Sequence, residues 1–201
     1  IRRLVEEWVE WALNNKEERE KKRYPEKPLG SILETIITRS YWRTWPRDAV
    51  LKKLRDKGLE GFESISYNDI DLIIETVKEL YEETKKSYWK ETLDSLEKFK
   101  ERIEKAGSLK KWIETLYEIV ENGGSWKRHE YFSGIKGLGA KGVNLILRDM
   151  GYFDMVPIDI HERRFLLRTG ILLYHSPESG DPSSYEFYIN ALKEFCKKHL
   201  G

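Results

Sequence analysis

Apolar residues recur at helical spacing along the whole chain, and this periodicity limits the possible folds more than any other feature. The first segment is typical, with apolar residues at steps of three and four on one face: Leu4, Val5, Trp8, Val9, Ala12 and Leu13. No stretch of the sequence has several alternating apolar and polar segments between tight-turn dipeptides, as a sheet would require. We therefore predict an all-α protein.

Capping and breaking residues divide this pattern into separate helices. Ser31 and Glu34 have the spacing of a capping box, which predicts that a buried helix begins at Ser31. Pro46 suits the first turn of the next helix, and Gly58 ends it. Helices are predicted over residues 2–23, 31–40, 47–57, 69–81, 88–106, 109–120, 143–150 and 160–168.

Composition narrows the class of protein. The chain has 201 residues, of which 39% are hydrophobic, and this is enough to build a core and excludes global disorder. Cys196 is the only cysteine, so an internal disulfide framework and a multi-cysteine metal site are both excluded. No apolar run approaches the roughly 20 residues that span a bilayer, and we expect a soluble protein with no membrane partner. The charged fraction of 35% and the lack of glutamine predict a heat-adapted source.

Residues 134–142 contain four glycines and lead into an apolar helix. Glycine permits positive φ angles and close backbone approach, and the first amide groups of a helix have no acceptor inside it, so such a turn suits a phosphate. The turn is not a P-loop, because the Gly-Lys-Ser/Thr ending is missing. It is not a dinucleotide fingerprint either, because no strand precedes it. Taken alone, the pattern favours an ordinary connection between helices.

A second motif follows that helix. The turn reads Ile135-Lys136-Gly137-Leu138-Gly139-Ala140-Lys141, and it is followed by Ile158-Asp159-Ile160-His161-Glu162-Arg163-Arg164 and by Arg168-Thr169-Gly170. In content and order these motifs resemble those of the helix-hairpin-helix DNA glycosylase superfamily, which includes endonuclease III and the 8-oxoguanine DNA glycosylases. The interval of 18 residues from Lys141 to Asp159 matches that between the catalytic lysine and aspartate of the family.

The resemblance implies an architecture and a partner. It implies two helical lobes with a DNA-binding cleft between them: a central lobe of residues 30–153, ending in the helix-hairpin-helix with its hairpin at 134–142, and a second lobe of residues 1–29 and 154–201 that carries the catalytic aspartate. The implied partner is double-stranded DNA containing a damaged base. We expect a monomer without a cofactor, located at the nucleoid in the cytoplasm of a prokaryote and similar to the compact archaeal enzymes.

The resemblance assigns the chemistry to Lys141 and Asp159. Lys141 matches the amine of bifunctional members, which attacks C1′ of the deoxyribose and forms a Schiff base that permits β-elimination. Asp159 matches the carboxylate that stabilises positive charge on the sugar as the glycosidic bond breaks. Asp159 also has a structural interpretation as the N-cap of the helix 160–168, and both roles are compatible.

Further residues match DNA contacts of the family. In the hairpin these are Lys136, Gly137, Leu138, Gly139 and Ala140, and beyond it His161 matches a histidine near the DNA backbone. The four histidines lack the spacing of a zinc helix, so no metal site is expected.

The segment after the predicted helix 31–40 is a candidate for base flipping. The family places residues there that fill the gap left by a flipped base, and the matching residues are Ser40, Tyr41, Trp42 and Arg43. For Trp42 and Trp45, core packing at positions i and i+3 is an equally good interpretation.

Two features indicate which branch of this superfamily the chain resembles. Cys196 alone does not supply the iron–sulfur cluster of endonuclease III, and Val156-Pro157-Ile158-Asp159 is similar to the 8-oxoguanine glycosylases that lack that cluster. The expected function is removal of an oxidised base, first 8-oxoguanine, with cleavage of the strand at the resulting abasic site (AP lyase activity). The alternatives are an endonuclease III-like enzyme for oxidised pyrimidines or abasic sites, a non-catalytic helix-hairpin-helix DNA-binding protein, and a helical scaffold.

The net charge of +1 conceals two regions of opposite sign. Residues 39–57 hold seven basic and two acidic residues, whereas residues 60–83 hold eight acidic residues and one lysine. We therefore expect one basic face toward phosphate and an acidic face away from it.

Overall fold

The computed structural model describes residues 28–39, 44–122, 131–152, 155–172 and 182–199, together with the single positions 7, 10 and 14. Within these ranges the secondary structure is helical and contains no strand, which confirms the predicted all-α fold. The helices are α1 Pro28–Thr38, α2 Trp45–Asp56, α3 Ile70–Thr84, α4 Ser87–Ala106, α5 Leu109–Glu121, α6 Ala140–Asp149, α7 Ile160–Arg168 and α8 Pro182–His199. Most of the predicted helix 2–23 falls outside the described residues.

The chain divides into two compact units. One unit comprises Tyr24–Pro157 and contains α1 to α6. The other combines Ile1–Arg23 with Ile158–Gly201, and α7 and α8 belong to it. No described helix is long and apolar enough to cross a membrane.

Helix α1 is the central element of the first unit. Every residue from Leu29 to Thr38 is buried, and the helix packs against α2, α4 and α6. Helix α4 continues the core toward α5, where Phe99 meets Trp112 edge to face at 5.2 Å between ring centroids.

The capping box predicted at Ser31 and Glu34 is wrong. In the described residues α1 already runs from Pro28, and a proline suits the first turn of a helix. Ser31 and Glu34 are buried inside the helix and turn toward other elements: the Ser31 hydroxyl lies 3.5 Å from an Asp149 carboxylate oxygen, and Glu34 accepts a hydrogen bond from Arg47 at 2.6 Å.

Helix α6 also begins earlier than predicted, at Ala140 instead of residue 143. Lys141 therefore lies inside its first turn. In the second unit α7 spans 160–168, as predicted, whereas α8 was not predicted. These two helices meet where the Arg163 guanidinium lies 5.0 Å from the centroid of the buried Tyr188 ring.

Candidate functional site

The glycine-rich turn before α6 is fixed to the body of the first unit. Ile135 and Leu138 are buried, and the Leu138 amide donates a hydrogen bond to the Ile135 carbonyl oxygen at 3.2 Å. On the other side of the turn, the Lys136 amide donates to the Ser95 hydroxyl of α4 at 3.0 Å. Because Leu138 is buried, its side chain belongs to the core and is not available to a ligand.

Gly137 lies directly against α1. Its φ of +89° is in the region that favours glycine. A Cβ atom at this position would lie 2.5 Å from the Thr35 carbonyl oxygen and 2.9 Å from the Ile36 Cα atom. The close approach of the turn to α1 therefore requires glycine here.

The first turn of α6 presents Lys141. Gly139 is exposed and extended, and Lys141 is the second residue of the helix that follows it. The Lys141 side chain is half-buried, whereas every residue from Gly142 to Leu147 is buried and anchors the helix in the core. Because the first amide groups of a helix have no acceptor within it, this end of α6 attracts anions.

Asp159 is the N-cap of α7, and this part of its prediction is confirmed. Its carboxylate accepts a hydrogen bond from the His161 amide at 2.7 Å and another from the Glu162 amide. In return, the Asp159 amide donates to a Glu162 carboxylate oxygen at 2.8 Å, which completes a capping box. The Asp159 side chain is therefore restrained by the backbone of α7.

His161 is exposed in the first turn of α7. The structure shows its amide bonded to Asp159, and its ring lies at the surface of the second unit. Among the described residues, no group of three or more histidine, cysteine, aspartate or glutamate side chains is arranged to hold a metal ion.

Ser40, Tyr41, Trp42 and Arg43 lie outside the described residues, but the positions on either side of them are described. Arg39 places its guanidinium 4.1 Å from the centroid of the Tyr88 ring and 2.7 Å from a Glu91 carboxylate oxygen. The same Glu91 lies 3.9 Å from the Lys136 ammonium group. Glu91 therefore stands between the end of α1 and the hairpin, and its role was not predicted, because no local motif marks it.

Trp45 lies at the edge of the core. Its ring packs against Tyr88 at 4.9 Å and against Trp89 at 5.4 Å, and the residue is 41% exposed. The Lys86 ammonium group lies 5.3 Å from its ring centroid. The core-packing interpretation therefore holds in part for Trp45.

A part-buried polar cluster joins α1 to α2 and α6. Glu34 accepts from Arg47 of α2, and Asp149, at the end of α6, accepts from Arg148 at 3.0 Å and lies near Ser31. Burial raises the pKa of the Glu34 carboxyl group above its ordinary value, although the hydrogen bond from Arg47 opposes this shift. The cluster links the helix that precedes the 40–43 segment with the helix that carries Lys141.

The predicted residues thus fall into three groups. The hairpin residues Lys136 to Lys141 form one turn in the first unit, Asp159 and His161 share one helix end in the second unit, and residues 40–43 are not described.

One comparison with known proteins identifies a family for this chain. A family model described as 8-oxoguanine DNA glycosylase, with a helix-hairpin-helix (Ogg-HhH), matches residues 48–200 and so covers α2 to α8 except for the first residues of α2. No significant match is found among curated proteins or among solved structures. Because the model spans most of the chain, including the hairpin, Lys141 and Asp159, this protein belongs to the 8-oxoguanine DNA glycosylase family and is a DNA glycosylase of the helix-hairpin-helix type.

Proposed function

We propose that this protein is a bifunctional glycosylase and AP lyase of base-excision repair that removes 8-oxoguanine from double-stranded DNA. The observation that carries the proposal is the hairpin, which is packed on α1 and places Lys141 in the first turn of α6. We further propose that it acts as a monomer at the nucleoid of a prokaryote, with the two predicted lobes, residues 30–153 and residues 1–29 with 154–201, as its functional parts.

Lys141 would act as the nucleophile. Its neutral amine attacks C1′ of the damaged nucleotide, the N-glycosidic bond breaks, and the electron pair leaves with the base, which takes up a proton. The C1′–O4′ bond then breaks as the C1′=N double bond of the protonated Schiff base forms; the nitrogen gives up one proton, and O4′ takes up a proton as the sugar ring opens. Loss of a proton from C2′ then breaks the C3′–O3′ bond and cuts the strand by β-elimination.

Asp159 would act on the same sugar. Cleavage of the glycosidic bond develops positive charge on the deoxyribose, and a carboxylate held in a fixed position stabilises that charge without reorganisation. The hydrogen bonds from the His161 and Glu162 amides supply this fixation. A carboxylate in this role also accepts and returns protons of the Lys141 amine.

The hairpin and His161 would hold the DNA backbone. The first amide groups of a helix point away from it and suit a phosphate, which favours the start of α6, and Lys136 adds a positive charge whose side chain is 57% exposed. Residues 40–43 remain the candidates for filling the gap left by the flipped base.

Borohydride trapping tests the proposal. The protein is mixed with duplexes that contain 8-oxoguanine, an oxidised pyrimidine or an abasic site, and borohydride reduces any Schiff base to a stable amine. We expect a covalent complex and base release with 8-oxoguanine. Trapping with the oxidised pyrimidine instead would favour the endonuclease III-like alternative, and binding without trapping on any duplex would indicate a non-catalytic DNA-binding protein.

Substitutions of Lys141 and Asp159 test the role of each residue in that experiment. Lys141→Gln should abolish trapping, whereas Lys110→Gln, an exposed position on α5, should trap like the wild type. Asp159→Asn should slow single-turnover base release by about 10²-fold or more with little change in DNA affinity. Undiminished trapping by Lys141→Gln, or an unchanged rate for Asp159→Asn, would contradict the corresponding assignment.

A further inference from the structure

Two carboxyl groups lie at the start of α7, one on its N-cap Asp159 and one on Glu162 in its first turn, and the proposed reaction uses the first of them. Asp159 carries the proposed catalytic role, while Glu162, three residues further on, has none. The Glu162 carboxylate accepts the Asp159 amide at 2.8 Å, and the Asp159 carboxylate accepts the amides of His161 and Glu162. The two residues therefore close a reciprocal ring of hydrogen bonds.

This ring fixes the backbone at Asp159 as well as its side chain. The Asp159 amide precedes the helix and has no helical partner of its own, so Glu162 supplies its acceptor. Without that acceptor, the extended backbone at Asp159, with φ of −110°, has one restraint fewer. Displacement of a catalytic group by about 1 Å can cost about 10²-fold in rate, so the restraint matters for a carboxylate that must face a reacting sugar.

The structure shows a second capping box, in which the pKa of the carboxyl group shifts in the opposite direction. At Ser66 and Asp69, ahead of α3, the carboxylate accepts from a hydroxyl and an amide, and these hydrogen bonds lower the pKa of Asp69. At α7 the loss of solvent around Glu162 and the neighbouring Asp159 carboxyl group raise the pKa of Glu162. The ionised form of Glu162 is therefore less favoured here than in the unfolded chain, although the hydrogen bond from the Asp159 amide opposes the shift, and the restraint on Asp159 is kept at a cost in stability.

We propose that Glu162 is a positioning residue that holds the Asp159 amide and so fixes the direction in which the Asp159 carboxylate meets the sugar. The proposal rests on the proposed function of Asp159. It assigns Glu162 no contact with DNA and no proton transfer of its own.

Three variants test the proposal: Glu162→Ala removes the acceptor, Glu162→Gln keeps an acceptor oxygen without the charge, and Asp69→Ala breaks the capping box in the first unit. For each variant we measure the single-turnover rate of 8-oxoguanine release at saturating protein, the DNA affinity and the Tm. Glu162→Ala should slow release roughly tenfold with little change in affinity. Glu162→Gln should restore the rate to within about threefold and should be at least as stable as the wild type near neutral pH. Asp69→Ala should lower the Tm and leave the rate unchanged.

Hydrogen exchange of the Asp159 amide, followed by NMR without DNA, reports the restraint independently of catalysis. The exchange should accelerate in Glu162→Ala and remain near the wild-type rate in Glu162→Gln. If the wild type releases base and Glu162→Ala releases it equally fast, or if the exchange does not change, the positioning role is overturned. A wild type that releases no base from any lesion duplex overturns the proposed function, and with it the catalytic meaning of Glu162, even where the exchange responds as expected.

Discussion

Gly137 and Gly58 allow two effects of an added methyl group to be measured separately: strain from the backbone conformation and steric overlap with a neighbouring helix. Gly137 and Gly58 have nearly the same φ, +89° and +87°, so an alanine at either position is strained by its conformation. A Cβ atom at Gly58 meets nothing within 4 Å, whereas one at Gly137 would overlap the backbone of α1. Gly58 is therefore a matched control for the contact between the hairpin and α1.

We expect Gly58→Ala to lower the free energy of unfolding by about 1 kcal/mol, the cost of the left-handed conformation. Gly137→Ala should lower it by about 3 kcal/mol, because α1 must also move away. Urea unfolding measures both values. Equal losses would show that the hairpin does not depend on close contact with α1. Gly137→Ala should also weaken DNA binding, since it displaces the turn that carries Lys136.

Among the helices, the boundaries predicted from the sequence were most accurate where the residues that set a helix end are close together in the sequence. Helix α7 begins and ends as predicted, because Asp159 and Glu162 complete its cap within four residues. Glycines likewise marked the hairpin and the helix after it, although α6 begins at Ala140 and not at the predicted residue 143. Helix α1 was misjudged at its start, because the apparent cap residues Ser31 and Glu34 find their partners on α6 and α2.

Dependence on partners that are distant in the sequence also explains why the contacts of Glu91 and Asp149 were not predicted. Glu91 contacts Arg39, which is 52 residues away, and Lys136, which is 45 residues away. Asp149 lies near Ser31 across 118 residues. Such partnerships depend on how α1, α4 and α6 pack together, and no periodicity or motif in a single sequence specifies them. Motifs that are local in the sequence therefore supplied the candidates Lys141 and Asp159, whereas contacts such as those of Glu91 and Asp149 depend on tertiary packing.

The buried Glu34 predicts a pH dependence of stability. Its pKa is raised in the folded state, chiefly by burial, so the folded protein binds that proton more tightly than the unfolded chain. This contribution to stability is present at acidic pH and is lost as the pH rises from the ordinary value of a glutamate through the raised pKa.

Glu34→Gln should remove this dependence and keep an acceptor oxygen for Arg47. The variant should therefore gain stability relative to the wild type as the pH rises toward neutral, as measured by urea unfolding at a series of pH values. Asp69→Asn serves as a control of opposite sign, because the pKa of Asp69 is lowered and its contribution is lost on acidification. Parallel profiles for Glu34→Gln and the wild type would contradict the assignment.

Across the whole molecule, folding pairs basic and acidic residues that lie in separate segments of the sequence. The basic segment 39–57 was expected to face phosphate, but α3 carries much of the acidic segment 60–83 and packs against α2. Lys53 lies 2.6 Å from Glu83, and Lys57 lies 2.7 Å from Glu79. Part of the basic segment therefore neutralises the acidic one, so a count along the sequence overstates the charge available to DNA.

Lys136 differs from these paired lysines, since its nearest acidic partner in the described residues, Glu91, is 3.9 Å away and its side chain is 57% exposed. Each phosphate contact contributes about −0.9 to the slope of log K against log salt concentration. Lys136→Gln should therefore make that slope shallower by about one, and it should weaken binding to damaged and undamaged duplexes alike. Lys53→Gln, which removes the same charge from the interface between α2 and α3, should leave the slope unchanged. Fluorescence anisotropy over a range of salt concentrations measures both slopes. An equal change in the two variants would mean that the general charge of the molecule, and not the hairpin, sets its affinity for DNA.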